Sequence, residues 1–126
     1  MSKRVFKTES AGAAAGPYSQ AVIKDDLIFI SGQVAMDPKT NKLISGNLEQ
    51  EVEQALANLR VILEEIGSSL EKVLKITVFL TDINEFSRFN AVYKKYFDSN
   101  QPARSCVEVA HLPLGAKVEI EAIAHL

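Results

Sequence analysis

Apolar residues recur at helical spacing in the middle of the chain, where they predict one long helix. Asn47 caps its start and Gln50 completes a capping box, while Gly67 ends it because glycine readily adopts the left-handed conformation of a helix C-terminus. The apolar face carries Leu48, Val52, Ala55, Leu56, Leu59, Leu63 and Ile66. Three glutamates near the start are predicted to be solvated charges that suit a helix N-terminus: Glu49, Glu51 and Glu53.

A second helix is predicted after Asp82, which serves as its cap, with Glu85 completing the capping box. Lys94 and Lys95 lie near its end, where cations suit the helix dipole. Its apolar face carries Phe86, Phe89, Val92, Tyr93, Tyr96 and Phe97. We interpret this aromatic stripe as core rather than as a surface that stacks on bases. Asn90 falls beside the stripe, and spacing alone assigns it no role.

The first third of the chain predicts strands around a glycine-rich loop. The run 10–17 lacks the Gly-Lys-Ser/Thr ending of a phosphate loop, so we interpret it as a flexible loop that delivers Tyr18 to the next strand, 20–24. The segment Leu27–Ser31 is apolar on both faces, which predicts a strand buried on both sides. Gly32 follows it and allows close approach of another chain or a ligand.

Period-two alternation predicts further strands in the second half of the chain. In Val73–Leu80 one face carries Leu74, Ile76, Val78 and Leu80. The runs 103–110 and 117–125 also alternate, and the short connection between them contains Pro113 and Gly115. These two runs are therefore predicted to form a β-hairpin.

Together the elements predict an α+β chain of about six strands and two helices. Two helices of this length cover one face of a sheet, whereas several strands are apolar on both faces. The uncovered face is therefore predicted to pack against a partner subunit.

Composition narrows the class of protein. The chain has 126 residues, enough for a single domain spanning 1–126. Its formal net charge of -2 provides no general field that attracts nucleic acid or an anionic membrane. One cysteine forms no internal disulfide. We expect no signal peptide, because the start, 1–6, lacks an apolar core, and no membrane span, because no apolar run is long enough. We expect a soluble cytoplasmic protein.

Two charged residues of the predicted hairpin are candidates for chemistry. Arg104 lies among small residues that leave space for a pocket, and a guanidinium binds a carboxylate through two hydrogen bonds. Glu119 suits the positioning or deprotonation of a water molecule, although pairing with a cation on a neighbouring strand is an alternative structural role. Cys106 is interpreted as a small buried residue rather than a nucleophile. The only histidines, His111 and His125, show no spacing typical of a metal site.

Four motifs resemble those of the RidA family, also called the YjgF family of reactive-intermediate deaminases. They are spread along nearly the whole chain: Gly16-Pro-Tyr-Ser-Gln20, Ile30-Ser-Gly-Gln33, Phe89-Asn-Ala-Val-Tyr93 and Pro102-Ala-Arg-Ser-Cys-Val-Glu-Val-Ala110, the last followed by Leu112-Pro and Val118-Glu-Ile-Glu121.

The resemblance implies a homotrimer with a chorismate-mutase-like fold. Its clefts between subunits would hydrolyse 2-iminobutanoate and 2-iminopropanoate to 2-oxo acids and ammonia without a cofactor. These imines come from pyridoxal-phosphate-dependent dehydratases. By position, Arg104 would anchor the substrate carboxylate and Glu119 would orient the water. The implied pocket lining is Tyr18, Asn90, Cys106 and the backbone of Ser31 and Gly32.

Two other functions stay open, because members of this family have also been described as endoribonucleases that inhibit translation, or as chaperone-like or regulatory binding proteins. The negative net charge of the chain and the lack of a histidine pair for proton transfer disfavour a nuclease. Glu119 disfavours a simple carboxylate-binding module, which would not need it.

Overall fold

The computed structural model describes residues 2–44 and 46–126. Within them the chain forms eight strands and two α-helices. In chain order these are β1 (Arg4–Phe6), β2 (Ala21–Lys24), β3 (Leu27–Gln33), β4 (Met36–Asp37), β5 (Lys42–Leu43), α1 (Leu48–Ile66), β6 (Val73–Leu80), α2 (Phe86–Tyr93), β7 (Ala103–Glu108) and β8 (Val118–His125).

Six strands form one sheet in the order β1-β2-β3-β8-β6-β7, and β4 and β5 form a small hairpin. Neighbouring strands of the large sheet are antiparallel, except for the parallel pair β6 and β7. The chain is therefore α+β with a mostly antiparallel sheet, as the pattern of elements predicted.

Both helices pack on one face of this sheet, and the core lies between the two layers. Burying each large aliphatic side chain contributes about 1.5–3 kcal/mol relative to leaving it in water. The fully buried large residues at the centre of this layer include Ile28, Leu56, Leu59, Ile62, Ile76, Leu80, Phe89 and Ile120.

The ends of α1 are those the sequence predicted. The Asn47 side chain accepts a hydrogen bond from the Gln50 amide at 2.9 Å, and the Gln50 side chain accepts one from the Asn47 amide at 3.3 Å. Gly67 ends the helix with φ 104, a conformation that side chains rarely adopt. The prediction of solvated glutamates is wrong for Glu51, which is buried.

The second helix is shorter than predicted. Asp82 caps a turn of 3-10 helix, Ile83–Glu85, and α2 begins only at Phe86. The Glu85 carboxylate pairs with Arg88 at 3.0 Å, so it does not serve as the predicted partner of the cap. Phe89, Val92, Tyr93 and Phe97 are buried as predicted. Phe86 is 37% exposed, at the edge of the aromatic stripe.

The predicted hairpin of the last quarter is wrong. Strands β7 and β8 have nearly the predicted bounds, but β6 lies between them in the sheet. The parallel pairing places Ile76 opposite Arg104, and the antiparallel pairing places Phe79 opposite Glu119. The short connection between β7 and β8 favoured a hairpin in the sequence. In the structure both strands instead form hydrogen bonds with β6, several of whose apolar side chains are buried.

The second face of the sheet carries no helix, and apolar side chains lie exposed on it. Leu27 and Phe29 alternate with the buried Ile28 and Ile30, so the prediction of burial on both sides of this strand is wrong for the single chain. A register shift in β6 between Val73 and Lys75 turns Leu74 outward and Val73 inward, which contradicts the predicted face for Leu74. Among the described residues, no helix is long and apolar enough to cross a membrane.

Candidate active site

The Glu119 carboxylate lies on the face of the sheet without helices. Its neighbours on β8, Val118 and Ile120, are fully buried on the other face. Glu119 is half-buried and borders a cavity of about 130 Å³, which Tyr18, Gly32 and Leu114 also line. Burial raises the pKa of Glu119, and the nearby charge of Glu121 raises it further. A carboxylate whose pKa is raised toward neutrality is a better general base.

Gly32 provides the space that this carboxylate occupies. A Cβ atom at this position would overlap the Glu119 side chain, approaching its carboxyl carbon to 2.7 Å. The register of β3 with β8 shifts between Ile30 and Gln33, where β3 has one residue more than β8. Bulges of this kind occur often beside active sites because they redirect side chains. The sequence predicted close approach of another chain or a ligand at Gly32, and the group that approaches Gly32 within the chain is the Glu119 side chain.

A buried glutamine anchors the loop that carries Tyr18. The Gln20 side chain accepts a hydrogen bond from the Thr8 amide at 2.6 Å and donates one to the Gly12 carbonyl at 2.8 Å. The Ser31 hydroxyl donates to the Ser19 carbonyl at 2.6 Å. Residues before and after Tyr18 are therefore attached to the sheet, while Tyr18 itself is 52% exposed.

Arg104 and Asn90 line a second cavity, of about 360 Å³, between α2 and β7. Because Arg104 pairs with Ile76 in the parallel ladder, its side chain projects on the face that the helices cover. The guanidinium carbon lies 4.7 Å from the centre of the Tyr93 ring. Asn90, to which spacing assigned no role, lies beside Arg104 in the lining of this cavity.

Cys106 follows Arg104 on the same face of β7, opposite Val78. Burial raises the pKa of its thiol, and the positive charge of Arg104 acts in the opposite direction. A raised pKa disfavours the thiolate, the form in which cysteine acts as a nucleophile. In the part of the chain that is described, no group of three His, Cys, Asp or Glu side chains is arranged to hold a metal ion.

The structure therefore divides the residues singled out from the sequence into two groups on opposite faces of one sheet. Tyr18, Gly32 and Glu119 share the first cavity, whereas Asn90 and Arg104 share the second. Within one chain β6 separates the strands of Arg104 and Glu119. One chain by itself does not bring Arg104 and Glu119 together.

Sequence reasoning missed two buried polar side chains that support these groups. Gln20 holds the Tyr18 loop, and Glu51 accepts a hydrogen bond at 2.9 Å from the Lys117 amide at the start of β8. Gln20 was visible as the last residue of the Gly16-Pro-Tyr-Ser-Gln20 motif. Glu51 gave no signal, because a glutamate in the first turns of a helix is usually solvated.

Comparison with known proteins identifies the family. A family model described as Endoribonuclease L-PSP matches residues 8–126. The chain is 50% identical to the human protein named 2-iminobutanoate/2-iminopropanoate deaminase over 122 residues, which are 97% of this chain and 89% of the human protein. The chain belongs to the RidA family.

Solved structures of RidA-family proteins share the fold closely. The Rid-family protein YyfA from Yersinia pestis superposes with a TM-score of 0.96 at 41% identity, covering 99% of this chain and 100% of that one. The structure of TdcF from E. coli, described as containing bound serine, gives a TM-score of 0.92 at 40% identity, with 98% of each chain covered. The resemblance seen in the four sequence motifs is confirmed.

Proposed function

We propose that this RidA-family chain is a 2-iminobutanoate/2-iminopropanoate deaminase, an enzyme that hydrolyses reactive imines to 2-oxo acids and ammonia. The observation that carries the proposal is 50% identity to the human deaminase over 97% of this chain. The chain also has a guanidinium, Arg104, and a partly desolvated carboxylate, Glu119, which are the two groups that this reaction uses.

Arg104 binds the substrate carboxylate through its paired N–H donors. Glu119 accepts a proton from a water molecule while the water oxygen bonds to C2 of the iminium group, whose C=N electrons move to nitrogen. The proton then passes to the nitrogen of the resulting tetrahedral intermediate. The C–N bond breaks and its electrons leave with ammonia, while the hydroxyl oxygen forms the carbonyl of the 2-oxo acid. The remaining proton of this hydroxyl passes to the regenerated Glu119 carboxylate and from there to ammonia. The iminium carbon is already electrophilic, so positioning supplies most of the catalysis.

A complete site is formed where two copies of the chain meet. Arg104 and Glu119 project from opposite faces of one sheet, so a substrate that contacts both must lie between two subunits. The apolar face without helices gives each subunit a surface to bury. A closed ring of three subunits forms three equivalent sites with chorismate-mutase-like packing.

The cellular setting proposed for the enzyme follows from its substrate. Imines of this kind hydrolyse in water, so the enzyme acts beside the pyridoxal-phosphate-dependent dehydratases that release them. The single cysteine suits the reducing cytoplasm. The whole chain, 1–126, works as one domain of the trimer. Tyr18, Cys106 and the backbone of Ser31 and Gly32 line the cleft around the substrate.

Ammonia release from imines generated in situ by a dehydratase tests this proposal. We expect the protein to accelerate release above the spontaneous rate, and Glu119→Gln to lower turnover by roughly 10²-fold. Arg104→Ala should lose both turnover and binding of the stable product 2-oxobutanoate, whereas Glu119→Gln should still bind it. Arg60→Ala and Glu71→Gln, at exposed positions elsewhere, are the matched controls. Wild-type protein that gives no acceleration contradicts the proposal.

RNA cleavage is the second candidate, because the matching family model carries the description Endoribonuclease L-PSP. The formal net charge of -2 disfavours tight contact with phosphates, and Tyr93 and Phe97 are buried rather than exposed for stacking. Cleavage of RNA by nuclease-free protein in single turnover, abolished by Glu119→Ala and unaffected by chelators, would favour this candidate.

A further inference from the structure

Three aromatic rings of α2 lie under the guanidinium of Arg104. Its central carbon is 4.7 Å from the centre of the Tyr93 ring, 5.5 Å from that of Phe86 and 5.7 Å from that of Phe89. Residues spaced by three and four positions share one face of a helix. Together Phe86, Phe89 and Tyr93 form a continuous surface, the aromatic seat, which faces the edge strand β7.

Within the described residues no carboxylate forms an ion pair with Arg104, and its guanidinium lies over the rings of the aromatic seat. Arg88 shows the contrast, because its guanidinium bonds to the carboxylates of Glu49 and Glu85 at 2.7 and 3.0 Å. Ring faces attract a cation without consuming its N–H donors. The donors of Arg104 therefore remain available for an anion in the 360 Å³ cavity beside it.

Tyr93 makes the closest of the three ring contacts to Arg104. It is 8% exposed and lies between Phe89 and Phe97, with ring centres 5.4 and 4.8 Å away. Its buried hydroxyl has no hydrogen-bond partner among the described residues. Burial raises the pKa of Tyr93, so the ring stays neutral at physiological pH. The ring of Tyr93 is the part that lies against Arg104, while the charge of Arg104 also acts on the hydroxyl and lowers its pKa against the effect of burial.

We propose that the aromatic seat is a positioning device for substrate binding, in which the ring of Tyr93 holds the Arg104 guanidinium in place for the carboxylate of a 2-imino acid. A long arginine side chain otherwise loses conformational entropy when it binds an anion. The seat reduces this loss because the guanidinium is already oriented. This inference rests on the proposed function for the identity of the carboxylate ligand.

Calorimetric binding of 2-oxobutanoate to the full chain tests the inference without requiring turnover. Tyr93→Leu should weaken binding roughly tenfold, the range of a partly desolvated cation–π contact, and Phe86→Leu should weaken it less. Tyr93→Phe, which keeps the ring, should bind as the wild type does. Tyr96→Leu is the matched control, since its ring lies over a different guanidinium, that of Arg60 at 5.4 Å, and does not line the cavity beside Arg104.

Deaminase kinetics give the second readout. KM should rise for Tyr93→Leu while kcat changes little, because the seat acts on binding of the carboxylate rather than on the water. Unchanged affinity in both Tyr93→Leu and Phe86→Leu would overturn the inference, as would an equal loss in Tyr96→Leu. A loss in Tyr93→Phe would overturn it in favour of a direct contact by the hydroxyl.

The two proposals fail separately in these measurements. If the wild type binds 2-oxobutanoate through the seat but accelerates no ammonia release, the inference stands for a carboxylate-binding site and the deaminase proposal fails. If the wild type is an active deaminase and Tyr93→Leu keeps both its affinity and its KM, only the inference fails. If Tyr93→Leu does not fold, Phe86→Leu decides, because Phe86 lies at the exposed edge of the seat.

Discussion

Leu114 adopts a backbone conformation that leucine normally avoids. Its φ is 62 and its ψ is 17, and its side chain is 63% exposed beside the cavity of Glu119. Gly115 follows with φ 72, and a Cβ atom there would meet nothing within 4 Å. The turn before β8 therefore places two successive residues in the left-handed region, which glycine adopts without the steric cost that other residues have.

Substitutions at these neighbouring positions should have opposite effects on stability. Leu114→Gly should stabilise the fold by about 1 kcal/mol because it relieves the left-handed strain. Gly115→Ala should destabilise it by a similar amount, about 1 kcal/mol, since it introduces the same strain without any clash. Urea denaturation of the two variants measures both signs. Equal effects in the same direction would show that the turn is not held in this conformation.

Because the pKa of Glu119 is raised in the folded protein, the free energy of unfolding should depend on pH. The folded protein holds this proton more tightly than an unfolded chain, whose glutamate has the ordinary value of 4.5. Stability is therefore lost as pH rises from about 4.5 through the folded pKa. Glu119→Gln should remove this loss, so the variant should equal the wild type in stability near pH 4 and exceed it above the folded pKa. Urea denaturation at several pH values checks the crossover, and a constant difference would contradict it.

At the scale of elements, α1 fixes the start of the strand that carries Glu119. The Glu51 carboxylate is buried and accepts the Lys117 amide at 2.9 Å, one residue before β8 begins. Glu49 lies in the same first turn of α1 as Glu51, and it pairs with Arg88 of α2. This ion pair connects the two helices. The first turn of α1 thus joins both the second helix and the central strand.

Removal of the Glu51 side chain should loosen this junction. Glu51→Ala leaves the Lys117 amide without its acceptor and should cost about 1–3 kcal/mol. Glu51→Gln retains an acceptor oxygen and should cost less. Thermal unfolding measures stability, and hydrogen exchange at the Lys117 amide locates the effect. Fast exchange of this amide in the wild type would mean that the bond is not formed in solution.

At the scale of the whole molecule, the division of the site residues between two faces predicts complementation between inactive chains. In the proposed cyclic trimer each site would take Arg104 from one subunit and Glu119 from its neighbour. After Arg104→Ala and Glu119→Gln chains are unfolded, mixed in equal amounts and refolded together, about a quarter of the sites should be intact.

Deaminase activity of the mixture, compared with each variant refolded alone, measures this recovery. Light scattering on the same samples establishes the number of subunits. An Arg104→Ala, Glu119→Gln double variant refolded with wild type is the control, since it supplies intact sites only through the wild-type chains. Absence of any recovery in a trimeric mixture would contradict a site shared between subunits.

The sequence alone determined the local features of this protein. The bounds of α1 follow from Asn47 and Gly67, because capping and the left-handed turn depend on residues next to each other in the chain. The bounds of β6 follow from alternation in the same way. The four motifs predicted the family, and comparison confirmed it.

Only the tertiary structure decided which residues meet. Alternation assigns side chains to the two faces of one strand, but it does not say which strand lies beside it. Insertion of β6 between β7 and β8 placed Arg104 under the helices and Glu119 on the opposite face. The bulge at Val73 and the burial of Glu51 are likewise set by neighbours distant in sequence. Contacts between distant residues depend on the packing of the whole sheet, which no local pattern encodes.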